Sequence, residues 1–140
     1  MGNLQRAIAA INEAQDQLSE TQVTEIKAVK AIYVKAALSL PGAAGFSVTN
    51  RTIQRWTSEH EHINVKIGTV VMAAGSLARV SPGHIASALV HEGVHMIHKE
   101  VGTPANERRA YFEQYKSLPP FHVTRGEGAF IKAQCGENCY

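Results

Sequence analysis

Two cysteines, one tryptophan, a net charge of only +2 and no long apolar run set the limits for this 140-residue chain. The small charge gives no argument for nucleic acid or an anionic membrane surface as partner, and only Arg108 and Arg109 are adjacent basic residues. No stretch approaches the roughly 18 apolar residues that a membrane-spanning helix needs, so no membrane insertion is expected. The opening "MGNLQRAIAAINEAQ" has no basic segment leading into a continuous apolar core, the mark of a signal peptide. Arg6 stands where an N-myristoylation signal requires Ser or Thr. Cys135 and Cys139 both fall in "QCGENCY". C-x3-C without a second pair is a poor structural zinc motif, and the two fit a short disulfide loop as well as free thiols. The compartment stays open.

What is present is ordinary for a globular protein: 44% hydrophobic and 19% charged residues, enough for one compact domain over 1–140. Residues 3–18 and 22–39 read as two helices, with "SETQ" at 19–22 fitting a capping box, so that 1–40 forms an N-terminal helical part. "LPGAAG" breaks the pattern, and 46–80 turns β-branched and alternating, with "FSVTNRTIQRW" and "HINVKIGTVVM" as strands of a small, mostly antiparallel sheet. Ser81-Pro82 and Thr103-Pro104 are two helix starts. The first helix is expected to run to about Glu100 and the second to about Ser117, making 81–118 a pair of helices before a Gly-rich tail, 119–140. The sum is an α+β domain.

The first of those helices carries "HEGVH" at 91–95, amid Ile85, Leu89, Val90, Val94 and Met96. Residues i and i+4 share a helical face, so His91 and His95 can offer two imidazole nitrogens to one Zn²⁺. Glu92, beside the first ligand, can reach a water that the metal acidifies and take its proton. A catalytic zinc needs a third protein ligand, and the next helix offers Glu107 and Glu113. Glu107 shares a stripe with Ala110, Tyr111, Gln114 and Leu118, the side expected to pack inward. Glu113 lines up with Arg109, Lys116 and Ser117, a group expected to face solvent. Glu107 is the better ligand.

"HEGVH" followed by "NERRAY" resembles the gluzincin pattern of zinc metallopeptidases across residues 82–117. The resemblance implies His91, His95 and Glu107 as metal ligands, Glu92 as the catalytic carboxylate and a peptide or protein as substrate. The short gap to the third ligand is similar to that of minimal zincin domains found as bacterial toxin or effector modules. Such a module would reach its target as part of a larger effector and would have an immunity or inhibitor protein as partner. In zincins the strand before the active helix forms a sheet edge that pairs with extended peptide, a role open to "GTVVMAAG" at 68–75. Tyr111, one turn after Glu107, is a candidate oxyanion donor. His98, His84, the pair His60 and His62, His122 and Trp56 read more simply as surface, cap or core residues. The rival functions are a zinc amidase acting on cell-wall peptides and a zincin-fold binding module without turnover.

Overall fold

A computed structural model describes residues 2–35, 45–47, 68–99 and 103–139. Helix α1 spans Gly2–Glu13 and buries Leu4, Ala7 and Ile11, a stripe spaced three and four residues apart. A 3₁₀ turn (Gln15–Gln17) leads to α2, Glu20–Ala28, opened by the expected capping box in which Ser19 and Gln22 satisfy each other's backbone amides. Here expectation and structure part. The helix expected over 22–39 ends at Ala28; Val29 is extended, and Ala31–Lys35 is strand β1. Ile32, Tyr33 and Val34 are stiff, β-favouring side chains, and alternate half-buried and exposed as a strand requires.

Strand β2 covers Gly45–Ser47 and β3 covers Thr69–Ala73; the rest of the two strands expected over 46–72 lies outside the described residues. The sheet order is β1-β3-β2, with β3 parallel to β1 (Ala31 opposite Thr69) and antiparallel to β2 (Phe46 opposite Val71). The sheet is therefore mixed, because the unforeseen β1 supplies the parallel half. The expected edge strand at 68–75 is instead the central one, with all five residues of β3 buried. A strand hydrogen-bonded on both sides has no free ladder to offer a peptide. Its end runs straight into α3, Ala74–Arg79, inside the stretch expected to be sheet. Asn3 ties α1 to the end of α3 by donating to the carbonyls of Leu77 and Val80 (3.2 Å each).

Helix α4, Pro82–His98, starts at Ser81, whose hydroxyl accepts from the His84 amide, and closes at a left-handed Lys99. Helix α5, Pro104–Lys116, starts at Thr103, whose hydroxyl accepts from the Asn106 amide. The tail is helical as well: α6 (Leu118–Phe121), α7 (Arg125–Cys135) and a 3₁₀ turn (Gly136–Cys139), with Cys135 and Cys139 joined in a disulfide. The start signal of α7 is Thr124-x-x-Glu127, and Glu127 also accepts from the Ser81 amide (2.9 Å) and hydroxyl (2.6 Å). One carboxylate thus binds the starts of α4 and α7 together.

Helix α4 is the centre of the molecule. α1, α2, α5, α6 and β2 all pack on it, and Ile85, Ala86, Leu89 and Val90 join Leu4, Ala7, Ile11, Val70, Met72 and Phe121 in the core. Two glycines let its neighbours approach to backbone contact. A Cβ at Gly93 would strike the Glu25 carbonyl of α2, and one at Gly83 would strike the Phe121 carbonyl of α6. No helix among the described residues is long and apolar enough to cross a membrane. The described architecture is α+β, with helices predominating.

Candidate metal centre

His91 and His95 lie one turn apart on the face of α4 that meets α5, and both are buried. Glu107, in the first turn of α5, reaches back to them. Its Oε1 is 2.8 Å from His95 Nε2, its Oε2 is 3.4 Å from His91 Nε2, and the two Nε2 atoms are 3.3 Å apart. A tetrahedral ion with bonds of roughly 2.0–2.1 Å sets its ligand atoms about 3.3 Å from one another. The two Nε2 atoms match that edge; Glu107 meets His91 through Oε2 and His95 through Oε1, so a rotation of its half-exposed side chain is needed to set one oxygen at that spacing from both. Among the described residues these three form the only such cluster of His, Cys, Asp or Glu. Two nitrogens and one carboxylate oxygen are a donor set that zinc accepts.

The His91 and His95 imidazoles beside it hold the Glu107 carboxyl well below the usual carboxylate range, against the opposing effect of burial. Tyr111 packs edge-on against the His91 ring, with centroids 4.5 Å apart. Burial raises its phenol above the ordinary value, and the charges of Glu107 and Glu92 add to the rise, so the hydroxyl keeps its proton as a donor. Glu92 is half-buried on α4 and near enough to Tyr111 to act on it. Tyr111 thus borders the triad, and Glu92 follows His91 directly in α4.

Behind His91 runs a connection that composition and spacing did not single out. His91 Nδ1 is 3.0 Å from Gln114 Oε1, and Gln114 Nε2 donates to Ser87 Oγ at 3.1 Å. Ser87 in turn donates to the His84 carbonyl at 2.8 Å. The available signal was polar residues on the ligand-bearing faces: Ser87 one turn before His91, Gln114 on the stripe of Glu107.

Glu113 corrects the solvent-facing assignment. Its side chain is only 18% exposed, pairs with Lys116 at 3.7 Å and faces Glu25 of α2, away from the histidines. Ser117, expected beside it in solvent, is fully buried. Glu25 is buried with its Oε1 unpartnered, and burial followed by the Glu113 charge pushes its carboxyl up to about 8. Of the remaining candidates, His98 and His122 are exposed, and His84 Nδ1 meets Glu127 at 3.1 Å, a link between helix starts. His60, His62 and Trp56 lie outside the described residues. A cleft of about 460 Å³ lined by Lys27, Lys30, Met96 and Lys99 sits at the far end of α4 and includes none of the three clustered residues.

Comparison with known families, curated proteins and solved structures gives no match, so the reading of the site rests on its own residues and distances.

Proposed function

We propose that the protein is a zinc-dependent hydrolase acting on peptide bonds, of compact gluzincin-like design. The observation that carries the reading is the convergence of two buried imidazole nitrogens and one carboxylate at ligand-edge spacing, beside a carboxylate that is not itself in the cluster. His91, His95 and Glu107 would hold the ion. When bound, zinc supplies Lewis acidity, polarising a substrate carbonyl and bringing a water's pKa towards about 7. The chain's own part is proton handling. Glu92 accepts the proton of the attacking water on its carboxylate and returns it to the leaving amine. Tyr111, kept protonated by burial and by its acidic neighbours, offers its hydroxyl to the carbonyl oxygen as charge develops there.

The test is metal analysis paired with Glu92→Gln. One zinc per chain is expected in both proteins. Peptide hydrolysis should fall by at least the roughly 10²–10⁴-fold typical of a general acid–base group in the variant alone. Absence of tightly held metal after zinc is offered would remove the reading; loss of zinc in Glu92→Gln would make Glu92 a ligand instead.

A further inference from the structure

We propose that Gln114 and Ser87 are positioning residues that fix which ring nitrogen of His91 carries its proton, leaving Nε2 bare to bind metal. The inference rests on the metal-site reading for its purpose, but its geometry stands independently.

The direction of the chain is settled from its far end. Ser87 Oγ and the His84 carbonyl oxygen are 2.8 Å apart, which requires a proton between two oxygens. A carbonyl has none, so the Ser87 hydroxyl donates and its lone pairs are left to accept. Gln114 lies 3.1 Å from that oxygen and must present its NH₂ there, which turns its Oε1 towards His91. An amide oxygen 3.0 Å from Nδ1 accepts a proton and cannot give one, so Nδ1 carries the hydrogen. In a neutral imidazole the other nitrogen, Nε2, then holds the lone pair. Nε2 is the atom that faces His95 Nε2 and Glu107.

The competing arrangement puts the proton on Nε2, aimed at Glu107 Oε2 at 3.4 Å. That contact is longer than the Nδ1 bond, and adopting it would turn the Gln114 carbonyl onto Ser87 and set the lone pairs of Ser87 and His84 against each other. Burial enforces the choice: Gln114 is 3% exposed and Ser87 fully buried, so water is not at hand to satisfy a reversed amide. Gln114 provides this from α5, the helix that also carries Glu107, so one helix supplies a ligand and orients another.

The experiment is ¹⁵N NMR of the imidazoles of the metal-free protein above the pH range in which imidazoles titrate, followed by zinc titration of variants. His91 of the wild type is expected as the Nδ1–H tautomer. Gln114→Leu should give a mixture of tautomers and bind zinc roughly 10–100-fold more weakly. Gln114→Glu keeps an acceptor opposite Nδ1 and should retain the Nδ1–H tautomer; a purely steric role for Gln114 would instead leave the tautomer unmoved in Gln114→Leu as well. Ser87→Ala releases the amide and should move His91 in the same direction as Gln114→Leu, which keeps the inference testable if Gln114→Leu does not fold. An Nε2–H tautomer in the wild type, or an unchanged tautomer in Ser87→Ala and Gln114→Leu, overturns it. A wild type that shows the Nδ1–H tautomer and takes no zinc would overturn the metal reading alone.

Discussion

Glu107 and Glu113 are six residues apart on α5, about 600° of helical rotation, and so point some 120° apart. That difference decides two chemistries. Glu107 bridges the histidines, while Glu113 turns towards Glu25 and Lys116. Glu107→Ala is expected to weaken zinc binding beyond the roughly 10–100-fold that loss of a supporting group behind a ligand costs, and to abolish hydrolysis. Glu113→Ala should leave zinc affinity nearly unchanged. Isothermal titration of both variants separates them, and a zinc defect confined to Glu113→Ala would refute the assignment. The clustering of His91, His95 and Glu107 was legible beforehand because helical periodicity and a short turn between the two helices put the three residues on facing stripes. Glu113 was misjudged because its companions Arg109 and Lys116 suggested water, whereas α2, packed alongside, brings Glu25 to it. Gln114 and Ser87 went unassigned because the direction of a hydrogen-bond chain appears only when its far end is seen.

Among the elements, three helix starts were readable from sequence: Ser19, Ser81 and Thr103 each accept the backbone bond that their position implies. β1 was not, because Ala31 and Lys35, good helix formers, flank its β-favouring centre, and pairing with β3 is what fixes the extended form. Helix α7 was hidden by Gly126 and Gly128, although Thr124 and Glu127 carried its start signal. The glycine inside the metal motif is a separate matter. Gly93 admits the α2 backbone, so Gly93→Ala is expected to cost on the order of 2–4 kcal/mol by forcing α2 off α4. Gly128→Ala in α7 meets nothing closer than 3.8 Å and should instead stabilise by about 0.5–1 kcal/mol. Chemical denaturation of the pair checks both signs, and equal effects would mean that α2 does not seat on Gly93.

For the molecule as a whole, Glu25 sets a pH dependence of stability. Its ordinary value of 4.5 rises to about 8 on folding, through burial first and the Glu113 charge second, with Lys116 opposing. Between those values the folded chain retains a proton that the unfolded chain has released, so stability falls as pH rises through the window and levels off above it. Glu25→Gln should remove that slope and raise stability at pH 8 by on the order of 2–4 kcal/mol. Urea unfolding at pH 5 and pH 8 measures it; a wild type that gains stability over this range would show that the pair is not buried in solution. Glu127 acts in the other direction. Burial raises it, but hydrogen bonds from Ser81 and Thr124 and the nearby His84 outweigh burial and bring it to about 2, so its contribution is lost as pH falls below 4.5.

The placement of all three proposed ligands on consecutive helices, from His91 to Glu107, also bears on how the protein reaches its native state. Gathering ligands so close along the chain requires only a short loop to close, at an entropic cost of roughly 2 kcal/mol, before any distant contact forms. An ion held as proposed would therefore clasp α4 to α5 early, while the sheet, whose β1 and β3 are far apart in sequence, is still unpaired. Stopped-flow refolding should run several-fold faster with equimolar zinc than with chelator, and Glu107→Ala should erase the difference. If zinc slows only the unfolding rate, the clasp forms after the rate-limiting step, and the ion is a late guest of a finished fold.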